Sequence, residues 1–299
     1  MGAGRPEPRG WAAPALRLGP MPAYLPEIVA AHRRTAAADP RDLGELVARA
    51  LEAPPPRPFA QALRSSAAGL AVIAEVKRRS PSKGVLAAGL DPAAVARAYA
   101  GGGAACLSVL TDEAFFGGNA GDLAAARSAS GLPVLRKDFT VAPADVCDAR
   151  LMGADAVLLI VAALSQDELA SLYELAGRLG LDVLVEVHDE AELERALALG
   201  PRLVGVNQRD LATFELDPLR AVRLASEIPP GAVAVAESGI RGPDDARRLA
   251  GAGYDAILVG ESVVTSDDPS AAVRALCGHP VTSRGASAGR VADARRVTA

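Results

Sequence analysis

The chain has few aromatic residues and only a small excess of acidic over basic residues. Aromatic residues make up 3% of the 299 residues, whereas half of all residues are hydrophobic. This composition is typical of an α/β protein packed with Val, Leu and Ala. The 32 basic and 36 acidic residues give a formal net charge of −4. The charge balance therefore does not indicate binding to nucleic acid or to an anionic membrane. Any bound anion must be held by a local site.

Cysteine and long apolar runs are also scarce. Cys106, Cys147 and Cys277 are an odd number without Cys-x-x-Cys spacing, so neither a disulfide framework nor a zinc site is predicted. We therefore expect a reducing, cytoplasmic location. No apolar run approaches the roughly 18 residues of a membrane span. Residues 1–20, rich in Pro, Gly, Ala and Arg, lack the apolar segment of a secretory signal and are predicted to form a disordered tail.

Short apolar runs alternate with Ala-rich helical stretches from residue 70 to residue 278. Asp-Pro pairs at 91–92, 217–218 and 268–269 are typical of helix starts. The predicted strands are 72–76, 106–110, 134–136, 156–160, 183–187, 203–207, 233–237 and 256–260. Eight successive βα units predict an α/β fold of the (β/α)8 TIM-barrel type, with an open doubly wound sheet as the alternative.

Segments outside the predicted barrel have different compositions. Residues 21–69 are expected to form a helical extension, with helices at 25–35 and 39–51 and with Asp39 as the cap of the second. Residues 279–299, rich in Ser, Gly, Ala and Arg, are predicted to be a disordered C-terminal tail.

Several predicted strands end in polar side chains, which a barrel would place at one mouth. Glu75 and Lys77 are two residues apart and face the same side of their strand. Lys137 follows an apolar run, so partial desolvation makes its pKa movable and allows it to act as an acid near neutral pH. The alternative is a lysine that reaches solvent. Glu186 has the same position and could form an ion pair with Lys137, and His188 could face the same way.

The last two strands are followed by loops that are typical of phosphate sites. Ser238-Gly239 and Gly260-Glu261 stand where barrel enzymes bind phosphate through backbone N–H groups, although a Ser-Gly pair alone is usually a turn. Phe116, together with Phe139, could form a wall for a flat ring, with core packing as the alternative. A metal site is not predicted, since no second ligand is suitably spaced from His188.

Six of these motifs together resemble the indole-3-glycerol phosphate synthase family. The resemblance covers about residues 21–277. It rests on residues 75–82, 110–118, 135–139, 206–211, 236–240 and 259–262. It implies a substrate, 1-(2-carboxyphenylamino)-1-deoxyribulose 5-phosphate, that is closed to indole-3-glycerol phosphate with loss of carbon dioxide and water. No cofactor or metal is implied, and we expect a monomer whose partner is this phosphorylated small molecule.

The resemblance also implies roles for individual residues. Lys137 matches the general acid and Glu186 the general base, while Glu75 matches a carboxylate that transfers protons and orients the substrate. Lys77 matches a lysine that holds substrate and phosphate and assists dehydration. Asn207, Arg209 and Glu237 match polar site residues; Ser238, Gly239, Gly260 and Glu261 match phosphate loops; and Ser80, Pro81, Phe116, Phe139, Leu158, Leu211 and Leu258 match the ring pocket. Two departures are Gln208, often Asn in the family, and Glu261, which is Ser in some members.

Two other functions are compatible with parts of the pattern. Another phosphate-binding barrel enzyme, such as phosphoribosylanthranilate isomerase, would keep the two glycine-containing loops. It would not combine Glu75 and Lys77 with the Lys137-Asp138-Phe139 motif. A barrel that serves only as a binding scaffold would be expected to lack Lys137 or Glu186, and both are present.

Overall fold

Three helices precede the barrel. The computed structural model describes residues 24–66, 69–80, 83–210 and 213–284. The first helices are α1 (Tyr24–Ala37), α2 (Leu43–Glu52) and α3 (Phe59–Arg64). The prediction that Asp39 caps the second helix is wrong: Asp42 is the cap and accepts a hydrogen bond from the Glu45 backbone N–H at 2.9 Å. Asp39 instead forms an ion pair with Arg41, at 2.6 Å.

Eight parallel strands form a closed barrel. The barrel strands are β1 (Ala71–Val76), β4 (Cys106–Leu110), β5 (Val134–Lys137), β6 (Ala156–Ile160), β7 (Asp182–Val187), β8 (Leu203–Asn207), β9 (Val233–Glu237) and β10 (Ala256–Val259). Two short strands, β2 (Arg79–Ser80) and β3 (Gly84–Val85), lie between β1 and β4 in the chain. β1 pairs with both β4 and β10, and each other barrel strand pairs with its neighbours in sequence. The predicted TIM barrel is confirmed, and an open doubly wound sheet is excluded. β2 and β3 form a small antiparallel hairpin outside the barrel.

Helices connect the strands around the outside. They are α4 (Pro92–Gly102), α5 (Glu113–Phe116), α6 (Ala120–Ser130), α7 (Pro143–Leu151), α8 (Gln166–Arg178), α9 (Glu190–Leu197), α10 (Arg220–Leu224), α11 (Pro243–Ala252), α12 (Glu261–Val264) and α13 (Pro269–Leu276). Asp91 and Asp268 cap α4 and α13, as their Asp-Pro pairs predict. The pair at 217–218 is not the cap of a helix, since α10 begins at Arg220 with Leu219 before it. The Asp217 carboxylate accepts from the Leu219 backbone N–H at 3.0 Å and forms an ion pair with Arg223. No described helix is long and apolar enough to cross a membrane.

The interior of the barrel is apolar below its mouth. Ile73, Leu135, Leu158 and Leu184 are buried there, as inward-facing strand residues of a barrel must be. Helix α3 closes the opposite end, where Phe59 and Leu63 belong to the same apolar cluster. Polar residues at the carboxyl ends of the strands therefore surround the open end of a packed core.

The chain after α13 lies along the closed end of the barrel. The Leu70 backbone N–H donates to the carbonyl of His279 at 2.8 Å. Arg284 is buried and forms an ion pair with Asp255 at 2.6 Å. Residues 279–284 thus contact the barrel although the predicted tail begins at 279, and residues 285–299, like the predicted tail at 1–20, lie outside the described part of the chain.

Candidate active site

A cavity of about 370 Å³ opens at the carboxyl ends of the strands. Polar groups from five strands or their ends line it: Glu75, Lys77, Lys137, Glu186, Asn207 and Glu237. Strand register sets their common level, since Asn207 on β8 is the direct partner of Glu237 on β9. The structure therefore brings all six predicted polar residues together at one mouth, as a parallel barrel requires.

Lys137 and Glu186 form an ion pair at the centre of the cavity. Lys137 Nζ lies 3.2 Å from Glu186 Oε2 and 3.9 Å from Glu237 Oε2. The side chain of Glu186 is 1% exposed and that of Lys137 is 16% exposed. Because the ion pair is largely shielded from water, the attraction between the two charges is strong.

Neighbouring carboxylates set the direction of the pKa shift of Lys137. Burial alone would lower this pKa, but the charges of Glu186, Glu237 and Glu75 raise it above its ordinary value. The sequence predicts a movable pKa, and the shift is upward because the three carboxylates outweigh desolvation. Lys137 is therefore an ammonium group throughout the neutral range and has a proton available to donate.

The pKa values of Glu186 and Glu237 are shifted in opposite directions. Burial would raise the pKa of Glu186, but the charge of Lys137 and hydrogen bonds from His188 and Asn207 hold it well below its ordinary range. Burial, followed by the charge of Glu186, raises the pKa of Glu237 well above its ordinary range. The pKa values of the two buried glutamates are thus shifted apart, a separation that is typical of acid–base sites.

Gly205, in the middle of β8, makes room for Glu237. A Cβ atom at Gly205 would collide with Glu237 Oε1 and would lie 3.2 Å from Leu184 Cδ1. Glu237 is 2% exposed. Sequence reasoning missed Gly205, because a glycine inside an apolar strand gives no sign of which side chain crosses it.

Glu75 and Lys77 form a second ion pair, at 2.6 Å. Both line the cavity, as their spacing along the strand predicts. Arg78, between them and the hairpin, instead forms an ion pair with Asp122 at 2.8 Å. Gly260 is needed beside the Glu75–Lys77 pair, since a Cβ atom there would collide with Glu75 Oε1 and lie 2.9 Å from Lys77 Nζ.

The loops after β9 and β10 line the same cavity. Ser238 and Gly239 have φ angles of 65° and 70°, which for Ser238 is a strained conformation of the kind found at ligand sites. Gln208 Nε2 donates to the Ser238 carbonyl at 2.8 Å and so fixes this loop. Glu261 begins α12, and its carboxylate pairs with Lys83 at 3.5 Å. Backbone N–H groups, not the Glu261 side chain, therefore suit an anion here.

Apolar residues form another wall of the cavity. The rings of Phe116 and Phe139 have centroids 6.3 Å apart and are tilted by 35°. Leu158 and Leu258 line the cavity below them, and Ser80 and Arg209 line its rim. Pro81 and Leu211, also predicted for this pocket, lie outside the described residues.

Helix α1 contributes to the wall and was not predicted to do so. Leu25 and Ile28 line the cavity. His32 holds the helix in place, with its Nε2 at 2.8 Å from Asp112 Oδ2 and its ring 5.5 Å from that of Phe139. The helical pattern of residues 25–35 gave no information on which end of the barrel the helix covers.

His32, Asp112 and Asp138 are the group with metal-ligand chemistry among the described residues; their ligand atoms lie within 4.8 Å of one another. Asp138 Oδ2 already accepts hydrogen bonds from Thr111 Oγ1 at 2.5 Å and from Arg136 Nη2 at 2.9 Å. The Arg136 charge opposes a bound cation, so the geometry favours attachment of α1 over metal binding.

Comparisons with known proteins agree with this geometry. A family model described as indole-3-glycerol phosphate synthase matches residues 25–276. An indole-3-glycerol phosphate synthase of a Nocardioides species is 54% identical over 236 residues, covering 79% of this chain and 90% of that protein. Indole-3-glycerol phosphate synthase 2 of Streptomyces coelicolor is 51% identical, covering 80% and 92%, and the Mycobacterium avium enzyme is 52% identical, covering 78% and 85%.

A solved structure shares the fold at low sequence identity. Thiamine phosphate pyrophosphorylase from Pyrococcus furiosus aligns with a TM-score of 0.52 and 18% identity, covering 70% of this chain and 94% of the other. This likeness concerns the barrel alone. From the family match over most of its length, the chain belongs to the indole-3-glycerol phosphate synthase family.

Proposed function

We propose that the chain performs the reaction of its family with Lys137 as general acid and Glu186 as general base. As a member of the family it is a carboxy-lyase of tryptophan biosynthesis. It converts 1-(2-carboxyphenylamino)-1-deoxyribulose 5-phosphate to indole-3-glycerol phosphate, carbon dioxide and water. The observation that supports the two roles is the buried Lys137–Glu186 pair, 3.2 Å apart, in a cavity with loops suited to phosphate.

Ring closure and decarboxylation come first in this mechanism. The ring carbon that carries the carboxylate attacks the ketone carbon, and Lys137 gives its proton to the ketone oxygen, which becomes a hydroxyl group. Loss of carbon dioxide then restores the aromatic ring. Because Glu186 and Glu237 stabilise the ammonium form of Lys137, the acid is protonated before the substrate arrives.

Dehydration completes the indole ring. Glu186 accepts a proton as the new double bond forms, and a second acid protonates the leaving hydroxyl group, which departs as water. Lys77 is our choice for this second acid, with Glu75 at 2.6 Å to orient it. Asn207 Nδ2 and Glu186 Oε1 are 3.2 Å apart, so Asn207 helps to hold the base.

Substrate binding divides between an anion site and a ring pocket. We assign the phosphate to the backbone N–H groups of Ser238, Gly239, Gly260 and Glu261, with the Lys77 charge nearby. We assign the anthranilate ring to Phe116, Phe139, Leu158 and Leu258, with Ser80 and Arg209 at the rim. Pro81 and Leu211 remain proposals from the resemblance. An apolar wall opposite charged groups holds both halves of such a substrate.

We further propose that the chain acts as a monomer in the cytoplasm. Every group assigned to the site comes from one barrel. The cysteines Cys106, Cys147 and Cys277 are free, as a reducing compartment would keep them.

Turnover of two variants tests the acid and base roles. We expect Lys137→Ala and Glu186→Gln each to lower kcat by about 10²- to 10⁴-fold, the contribution of a positioned acid or base. Glu174→Gln, at an exposed carboxylate of α8, is the control and keeps wild-type kcat. Indole absorbance gives the rate, and thermal unfolding verifies that each variant is folded. Near-wild-type turnover of Lys137→Ala would show that the acid assignment is wrong.

A further inference from the structure

His188 is a buried titratable residue that the mechanism above does not use. It follows the end of β7 and is two residues from Glu186, so both side chains face the same side of the strand. The residue is 8% exposed. Its Nε2 lies 3.4 Å from Glu186 Oε1, and its Nδ1 lies 3.0 Å from Glu192 Oε2.

Glu192 fixes the imidazole from the other side. It lies in the first turn of α9, where its backbone N–H donates to the Asp189 cap at 2.8 Å. Its Oε2 accepts both from the His188 backbone N–H, at 2.8 Å, and from the ring at Nδ1. The ring is therefore anchored to a helix, and its second nitrogen, Nε2, is buried 3.4 Å from Glu186 Oε1 with no other hydrogen-bond partner among the described residues.

The two oxygens of Glu186 have different partners. Oε1 faces His188 and accepts from Asn207 Nδ2 at 3.2 Å, whereas Oε2 faces Lys137 at 3.2 Å. Rotation of the carboxylate would break contacts on both sides. This arrangement leaves Oε2 as the oxygen next to the proposed acid.

We propose that His188 is a positioning residue for the general base: as an imidazolium anchored by Glu192, it donates from Nε2 to Glu186 Oε1 and directs Oε2 toward Lys137 and the substrate. The inference rests on the proposed role of Glu186 as the base. It adds a chain of three groups, Glu192, His188 and Glu186, that runs from α9 into the cavity.

The charges around His188 keep it protonated. The groups that act on it are Glu186 on β7 and Glu192 on α9, while Lys137 lies beyond Glu186. Burial alone would lower the pKa of His188, but hydrogen bonds and charges of the two carboxylates raise it to about 9. In turn the imidazolium helps Lys137 to hold the pKa of Glu186 below its ordinary range. Removal of the imidazolium charge therefore raises the pKa of Glu186.

Steady-state kinetics against pH test the inference. We expect His188→Leu to lower kcat by about 10- to 100-fold, as loss of an orienting partner typically does, with KM within about twofold of wild type. The acidic limb of kcat/KM, where Glu186 becomes protonated, should shift to higher pH. His188→Gln keeps a donor without the charge, so it should recover part of kcat and retain the shifted limb.

Two further variants separate positioning from folding. Glu192→Gln keeps an acceptor for the His188 backbone N–H but removes one negative charge beside the imidazole. The pKa of His188 should therefore fall, so that both its proton and kcat are lost at a lower pH than in the wild type. Arg195→Gln is the matched control: Arg195 ties the same helix to the carbonyls of Val161 and Leu164, at 3.3 and 2.6 Å. It should leave the acidic limb unchanged.

A double variant decides whether His188 acts through Glu186. In the Glu186→Gln background, His188→Gln should change kcat by less than twofold, because the group to be positioned is gone. An equal loss in both backgrounds, or wild-type kcat and acidic limb in His188→Gln, would overturn the inference. Near-wild-type turnover of Glu186→Gln alone would instead overturn the base assignment itself.

Discussion

Substitution of Gly205 tests how tightly the barrel packs around the reacting groups. Gly205 is buried in β8, and the added methyl group of Gly205→Ala would collide with Glu237 Oε1. The same methyl group would lie 3.2 Å from Leu184 Cδ1, closer than ordinary contact. Glu237 is 2% exposed and its backbone is fixed by pairing with Asn207. The carboxyl group must therefore rotate, or the strands must separate.

The size of the effect follows from these contacts. Overpacking of a core by one methyl group costs about 1–3 kcal/mol of unfolding free energy. Glu237 lies 3.9 Å from Lys137, so its displacement also changes the field at the proposed acid. A loss of about 1.4 kcal/mol of transition-state stabilisation is a tenfold change in rate. We expect Gly205→Ala to lose about 1–3 kcal/mol of stability and at least tenfold in kcat.

Denaturant unfolding and indole formation measure the two effects. Gly177→Ala is the matched control, since Gly177 is exposed inside α8 with nothing within 4 Å of an added Cβ. That substitution should raise the unfolding free energy by about 1 kcal/mol and leave kcat unchanged. Wild-type stability and kcat in Gly205→Ala would refute the claim that Glu237 is held against β8.

Three other perturbations have separate readouts. Gly239 has a φ of 70°, and an alanine in this conformation costs about 1–2 kcal/mol. Gly239→Ala should therefore raise KM about tenfold and weaken competitive inhibition by inorganic phosphate. Arg284→Ala removes the 2.6 Å ion pair with Asp255. It should lower the free energy of unfolding by about 1–3 kcal/mol, measured by denaturant unfolding, and leave kcat unchanged. Burial alone would lower the pKa of His32, but Asp112 and neighbouring carboxylates raise it above 6.5. The stability that the His32 charge adds to the attachment of α1 is thus fully present below pH 6.5 and is lost as pH rises through the raised pKa. KM of the wild type should rise at alkaline pH, and His32→Gln should abolish that dependence.

The same assays also define the results that would contradict these three predictions. Unchanged KM in Gly239→Ala would contradict a backbone anion site at this loop. Wild-type unfolding of Arg284→Ala would contradict the contact of residues 279–284 with the barrel. A KM of the wild type that does not vary with pH would contradict the role of His32 in attaching α1.

The sequence by itself determined the succession of eight βα units, because its signals are local. Each apolar run, and most Asp or Ser caps, act within a few residues. Closure of the eight strands was the favoured prediction, but only strand pairing in the structure excluded an open sheet. The same locality explains the errors: Asp39 and Asp217 accept the backbone N–H groups of Arg41 and Leu219, as their sequence pattern predicts, but the helices begin further on, at Leu43 and Arg220. The polar strand ends were also readable, since a parallel barrel brings all carboxyl ends to one face.

Only the tertiary structure decided the electrostatics and the close packing of the site. The direction of the Lys137 pKa shift depends on three carboxylates from other strands, and no spacing along the chain encodes their distances. The same is true of the contact between Gly205 and Glu237 and of the contact between His32 on α1 and Asp112. Secondary structure follows from neighbours in sequence, whereas pKa values and steric limits follow from atoms that folding brings within a few ångströms.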